Sequence, residues 1–181
     1  MLDLADFRID GADWAGLVVM PPAVAKVRGL TLSHAQSAHA APGGGSGVYV
    51  GRGAGLRVER GAFLDNSTRA LAVLGELQLE GALVTRTAAD AVVVDTGNLT
   101  LTDAVVSRSR GAGLATIGGE SHLRNAVLAD NVVGVRSQLD GRPELTDSEP
   151  TGNEQGEEQC AAGCIDKPQA PPPPMLFDRS E

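Results

Sequence analysis

The strongest constraint on this chain is a repeated pattern, an alternating apolar pair followed at a short fixed interval by alanine. The copies are Phe7-Arg-Ile9-Asp-Gly-Ala12, Leu30-Thr-Leu32-Ser-His-Ala35, Leu56-Arg-Val58-Glu-Arg-Gly-Ala62, Leu77-Gln-Leu79-Glu-Gly-Ala82, Leu99-Thr-Leu101-Thr-Asp-Ala104 and Ser121-His-Leu123-Arg-Asn-Ala126. The third copy carries one extra residue, and Leu145-Thr-Asp begins a coil that the pattern leaves unfinished. The second apolar member falls at 9, 32, 58, 79, 101, 123 and 145, a period near 22, with one longer gap across Pro42-Gly-Gly-Gly-Ser46. A second landmark keeps step: Gly47-Val-Tyr-Val50, Ala70-Leu-Ala-Val73, Ala91-Val-Val-Val94, Gly113-Leu-Ala-Thr116 and Gly134-Val-Arg136. Two markers sharing one period specify a solenoid, in which each repeat buries its apolar face against its neighbours.

Each period holds short alternating runs separated by Gly, Asn, Asp and Ser, the signals of strands and turns. No amphipathic stretch of helical length interrupts them. A leucine-rich repeat would carry L-x-x-L-x-L in every unit, and only Leu74-x-x-Leu77-x-Leu79 fits. A six-residue apolar rhythm, as in hexapeptide β-helices, is absent. The small residue after the first strand, the turn Asn or Ser and the Gly-Val-x-Val second strand resemble the right-handed parallel β-helix repeat of the pectate-lyase-like superfamily. The reading is therefore an all-β, right-handed, single-stranded parallel β-helix of about six coils over residues 1–147. Residues 148–181 are expected to form a disordered acidic, proline-rich tail.

In such a stack equivalent strands pair one coil apart, about 4.8 Å from each other. Alanines 12, 35, 62, 82, 104 and 126 are expected to line a tight inner corner, and Ser67, Thr87, Ser109 and Asn131 to stack as a polar turn ladder. Aromatic residues make up only 3% of the chain, so Leu, Val and Ala must fill the core. Residues 1–139 hold 13 acidic and 12 basic side chains, against 10 and 3 in residues 140–181. A near-neutral body with one Trp and one Tyr lacks the basic stripe and stacking platform of a nucleic-acid binder. No apolar run is long enough to span a bilayer. The first residues carry no secretory signal pattern, so an extracellular or cell-surface location would require that the chain belong to a longer exported protein.

Outward positions on the first strand are read as two columns, Arg8, Thr31, Arg57, Gln78, Thr100, His122 and Asp10, Ser33, Glu59, Glu80, Thr102, Arg124. Glu59 and Glu80 become neighbours beside Arg57 and Gln78. Two close carboxylates can raise one pKa and serve as an acid/base pair, or hold a cation; a solvated face neutralised by Arg57 uses the same residues. Arg86 and Arg108 share a turn column, with Asn66 before and Asp130 after, and could grip an anionic group. An Arg108–Asp130 pair on a solvated edge is the alternative.

Enzymes of the resembled superfamily cluster aspartates with calcium, whereas Asp90, Asp95 and Asp103 fall in different registers. His34, His39 and His122 occupy different coils. Cys160-Ala-Ala-Gly-Cys164 lacks the second pair a zinc site needs, leaving a small disulfide or two free thiols. No catalytic residue, metal or cofactor is assigned. The expected function is a non-catalytic scaffold binding glycan or protein through Arg57, Glu59, Gln78, Glu80, Arg86 and Arg108. A fragment of a polysaccharide lyase or hydrolase is the alternative. The repeat begins so early that the chain is expected either to continue upstream in its native context or to associate end to end through its first coil.

Overall fold

The computed structural model describes residues 2–36 and 45–160. It is all-β, and its parallel strands stack as a β-solenoid of about seven turns. The first coil contains β1 (Leu2–Asp10) and β2 (Ala15–Val19), and the second β3 (Val24–Ser33) and β4 (Ser46–Val50). Next come β5 (Gly55–Leu64) with β6 (Leu71–Val73), then β7 (Glu76–Glu80), β8 (Leu83–Thr85) and β9 (Val92–Asp95). The fifth coil holds β10 (Asn98–Ser107) and β11 (Ala112–Ile117), and the sixth β12 (Glu120–Ala129) and β13 (Val133–Gln138). The seventh is β14 (Arg142–Thr146), β15 (Glu149–Thr151) and β16 (Gln155–Cys160).

One sheet runs β1-β3-β5-β7-β10-β12-β14, with β8 beside β5 and β10 and β15 beside β12. The other runs β16-β13-β11-β9-β6-β4-β2. The long strands of the first sheet turn a corner midway. Asp6, Gly29, Arg60, Asp103 and Asn125 sit at that corner with positive φ, as does Gly81 between β7 and β8. Asp, Asn and Gly populate the left-handed region most readily, so these positions bend the chain without breaking the ladder. The sheet thus has two limbs, one before the corner and one after.

Inward columns fill the interior. Val27, Val58, Leu79, Leu101 and Leu123 stack before the corner, and Leu32, Phe63, Val84, Val106 and Leu128 after it, all essentially buried. The second sheet adds Val48, Leu71, Val92 and Leu114. Phe63, the bulkiest of the fully buried side chains, occupies a column otherwise built of aliphatic residues.

Pairing corrects the phase of the first two repeats. Phe7 and Ile9 stack on Leu30 and Leu32, which stack on Gly61 and Phe63 beyond the corner. The partners of Leu56 and Val58 are Ala25 and Val27. The column that holds Ala82, Ala104 and Ala126 therefore begins with Phe7, Leu30 and Gly61, while Ala62 follows Thr31 on the outer surface. Ala12 and Ala35 lie at the next corner, where the backbone N–H of Ala35 donates to Asn66 Oδ1 at 3.2 Å. No residue is extra at Gly61. The insertion lies instead between Val27 and Val58, which are 31 residues apart although adjacent in the stack.

The stack also continues past the expected boundary at 147. Glu149, Pro150 and Thr151 pair with Val127, Leu128 and Ala129, and β16 pairs with β13. The coil begun at Leu145 is completed by these strands, giving seven turns rather than six. Residues 161–181, with Cys164 and the proline run, lie outside the described residues, as does His39.

Candidate functional site

The corner where the second sheet hands over to the first is a trench. Gly75, Gly97, Gly119 and Gly141 immediately precede β7, β10, β12 and β14. A Cβ on Gly97 would come within 2.5 Å of the Gly75 carbonyl oxygen, and Gly75, Gly119 and Gly141 are equally crowded by backbone oxygens. At these four positions only glycine lets neighbouring coils close up. Beside this corner lies a groove of about 790 Å³ that crosses four coils. Its floor includes Ala25, Ala54, Leu56 and Leu74, and its rim Lys26, Arg52, Arg57, Glu76, Gln78, Thr96 and Asn98.

The outward columns of the first limb form one wall. They read Asp3, Lys26, Arg57, Gln78, Thr100, His122, Glu144 and Ala5, Arg28, Glu59, Glu80, Thr102, Arg124, Thr146. Arg8, Thr31, Asp10 and Ser33, expected in these columns, lie beyond the corner, because the first two repeats are shifted in phase. Arg57, Gln78, Glu59 and Glu80 do come together. Glu59 accepts from Lys26 Nζ at 2.8 Å and lies 3.3 Å from Arg57 Nε. Arg57 Nη2 reaches Glu80 Oε2 at 3.4 Å, and Gln78 Nε2 donates to Glu76 Oε1 at 2.8 Å.

This network decides what the paired carboxylates can do. The Lys26 hydrogen bond, aided by the positive charges of Lys26, Arg57 and Arg28, holds the Glu59 carboxyl below its ordinary range despite some desolvation. Glu59 and Glu80 are neighbours in register, yet the intervening cations remove the like-charge conflict that would have raised a pKa. Glu59 is a poor proton donor at neutral pH.

Arg86 and Arg108 are not part of this face. They occupy the corner leading into the second sheet, in one column with His34, Asp65 and Asp130, all at positive φ. The residue preceding Arg86 in that column is Asp65, not Asn66. Arg86 grips Asp65 bidentately, Nε to Oδ1 and Nη2 to Oδ2, both at 2.7 Å. That pairing holds Asp65 below its usual range and raises Arg86. Arg86 is committed to its neighbouring coil, and Arg108 forms no ion pair with Asp130.

The adjacent column is the turn ladder, and it runs Asn66, Thr87, Ser109, Asn131, Asn153, with Asn66 in place of the expected Ser67. Asp90 accepts from the Ala112 N–H at 2.6 Å and from Arg136, while Asp103 accepts from Asn125 at 2.6 Å, so these aspartates serve separate corners. Among the described residues no three His, Cys, Asp or Glu side chains are grouped to hold a metal ion.

Sequence reasoning missed Lys26, Arg52, Glu76, Thr96 and Asn98. Arg52 lies on the turn before β5 and donates to Thr96 Oγ1 at 3.3 Å, two coils away. The signal that marks the trench was present as a third periodic feature, the glycine that precedes β7, β10, β12 and β14, at 75, 97, 119 and 141.

No protein-family model matches this chain, and no curated protein matches it. Among solved structures, QnrB1, a plasmid-mediated fluoroquinolone resistance protein, aligns over 88% of this chain and 89% of its own at 15% identity. The TM-score of that superposition is 0.20, too low to carry an argument. The stack of parallel coils, with its glycine-lined corner groove, rests on the chain's own register.

Proposed function

We propose that this chain is a non-catalytic scaffold that binds an extended glycan along the corner groove, as part of an exported or cell-surface protein. The observation that carries the reading is the groove itself. It crosses four coils, has an apolar floor, and is rimmed by amide, hydroxyl and charged groups that face outward. Ligand sites are concave, mostly apolar and equipped with a few converging polar groups. Gln78, Asn98 and Thr96 offer the mixed donors and acceptors that polymer hydroxyls need. Lys26, Arg57, Glu59 and Glu80 neutralise one another, which suits a neutral or weakly charged chain better than a polyanion. The repeat's likeness to the pectate-lyase-like superfamily favours the same ligand class.

The test is titration calorimetry with a panel of neutral and acidic polysaccharides. Arg57→Ala, Gln78→Ala and Asn98→Ala are expected to weaken binding of the preferred polymer about tenfold each, whereas Arg86→Ala and Arg108→Ala leave it unchanged. Equal losses from both groups, or binding to none of the polymers, would overturn the groove assignment. Release of reducing ends abolished by Glu59→Gln or Glu80→Gln would replace the scaffold reading with an enzymatic one.

A further inference from the structure

We infer that the outer face of the first sheet beyond its corner binds a second copy of this chain, the two faces packing about a twofold axis that lies along the strands at Leu83. One outward column runs across this face and reads Arg8, Thr31, Ala62, Leu83, Val105, Val127, Glu149. Leu83, Val105 and Val127 are 42%, 40% and 41% exposed, and Ala62 beside them is half-buried. Three successive coils thus present branched aliphatic side chains to water in register. A contiguous stripe of this kind marks an interaction surface, whereas apolar residues scattered singly do not.

The charges identify what covers the stripe. Arg8 and Glu149 flank it with opposite sign. Arg60 and Asp103 stand in the corner column beside it, on either side of Gly81, again with opposite sign. Among the described residues Arg8, Arg60 and Glu149 enter no ion pair. Asp103 accepts from the neutral Asn125 amide at 2.6 Å, and a carboxylate has acceptor sites to spare. Positive groups therefore lie on one side of Leu83 and negative groups at the matching positions on the other. Such a face complements itself when turned end for end.

A twofold axis along the strands at Leu83 performs that turn. Leu83 then meets Leu83 of the second copy, Ala62 meets Val105, and Thr31 meets Val127. Arg8 comes opposite Glu149 and Arg60 opposite Asp103, each twice by symmetry. Arg86 meets its own copy on the axis, but Asp65 already neutralises each guanidinium. The like pair that is left, Asp6 and Asp147, falls at the rim. An axis along the stack would instead set Arg8 on Arg8 and Glu149 on Glu149. Complementary charges fix the register of an interface, and this one is isologous and closes at two copies. Packed sheets lie about 10 Å apart, a gap that arginine and carboxylate side chains bridge from opposite rims. Seven coils by five residues give a face of about 500 Å² on each copy. The total of about 1,000 Å² is the size at which specific association begins, so the dimer is reversible rather than obligate.

Sedimentation equilibrium and small-angle scattering of the full chain test this. A concentration-dependent dimer is expected, doubled in thickness at unchanged length. Leu83→Lys sets two like charges on the axis and is expected to raise the dissociation constant at least about tenfold, with the melting transition of the wild type. Arg60→Asp and Asp103→Arg are each expected to weaken the dimer, and the double reversal to restore it to within about threefold of wild type. A monomer at every concentration, a particle doubled in length, a dimer indifferent to Leu83→Lys, or a double reversal no tighter than the single changes would each overturn the inference.

Discussion

Asn131 and Ser109 lock two successive coils together inside the turn ladder. Asn131 Oδ1 accepts from the Ser109 backbone N–H at 3.0 Å and from Ser109 Oγ at 2.6 Å. Its Nδ2 donates to the Val106 carbonyl at 3.2 Å and to Asn153 Oδ1 at 3.1 Å. Both residues are buried, so Asn131→Ala strands polar groups away from water. Stranding such groups costs about 1–3 kcal/mol each. A loss of about 3 kcal/mol is expected in urea unfolding, with the denaturant slope unchanged.

The same ladder has a gap at Thr87. Among the described residues Thr87 Oγ1 is buried without a hydrogen-bond partner, and so is Asn66 Nδ2 in the coil before it. Asn66, Asn131 and Asn153 each offer a side-chain oxygen to the backbone N–H of the preceding coil. An asparagine at 87 would supply the missing acceptor at nearly the same volume. Thr87→Asn is expected to stabilise by about 1 kcal/mol, the net worth of one buried hydrogen bond, read as a raised melting temperature.

Leu139 occupies the left-handed region at φ 52° and is 66% exposed. The corresponding corner of the preceding coil is Gly118, at φ 67°. A branched apolar side chain in this region costs about 1–2 kcal/mol, and glycine avoids that cost while adding some unfolded-state entropy. Leu139→Gly is expected to stabilise by roughly 1 kcal/mol in chemical denaturation. A destabilisation would mean that the exposed leucine is covered by a partner.

The inside and outside of the first limb can be tested pairwise. Leu79 and Leu101 are 2% and 1% exposed, whereas Gln78 and Thr100 face outward in the adjoining column. Leu79→Asp or Leu101→Asp buries an unpaired carboxylate, which costs several kcal/mol and is expected to abolish cooperative folding. Gln78→Asp and Thr100→Asp are expected to shift the melting midpoint by no more than a few degrees. Circular dichroism melts of the four variants suffice.

Acid should loosen the Asp65–Arg86 clasp. The Arg86 hydrogen bonds, chiefly, hold Asp65 below its ordinary 3.8, so the folded state binds its proton later than the unfolded chain. The stabilisation is fully present above pH 3.8 and fades as pH falls through the lower folded value. Asp65→Asn is therefore expected to melt slightly below wild type at neutral pH and to converge with it under more acidic conditions. The gap is expected to be small, because the pair is partly exposed. A gap that widens on acidification would contradict the clasp.

The period was written in the sequence because each coil must bury the same inward columns, and Leu56, Leu77 and Leu99 repeat in kind as well as in spacing. The second-sheet landmark was equally plain, since Val48, Leu71, Val92 and Leu114 all face the core. The phase of the first two repeats was not. Both limbs of the first sheet alternate apolar and polar residues, so Phe7-x-Ile9 and Leu30-x-Leu32 fit either limb when read one coil at a time. Only pairing, which aligns Leu32 with Phe63 across the insertion, places them beyond the corner. The seventh coil was hidden for a related reason. Among the described residues β14 to β16 pair on one side only, carry few apolar side chains and so read as an acidic tail.

Within the site, sequence brought Arg57, Glu59, Gln78 and Glu80 onto one wall, because alternation along a strand fixes which residues face out. It could not pair Lys26 with Glu59, which lie 33 positions apart, or join Arg52 to Thr96 across two coils. Those contacts depend on how the coils stack past the insertion. The stacking also lowers the Glu59 pKa and makes a groove of the glycine corner. Periodicity records what every coil shares, whereas these features arise where particular coils differ and meet.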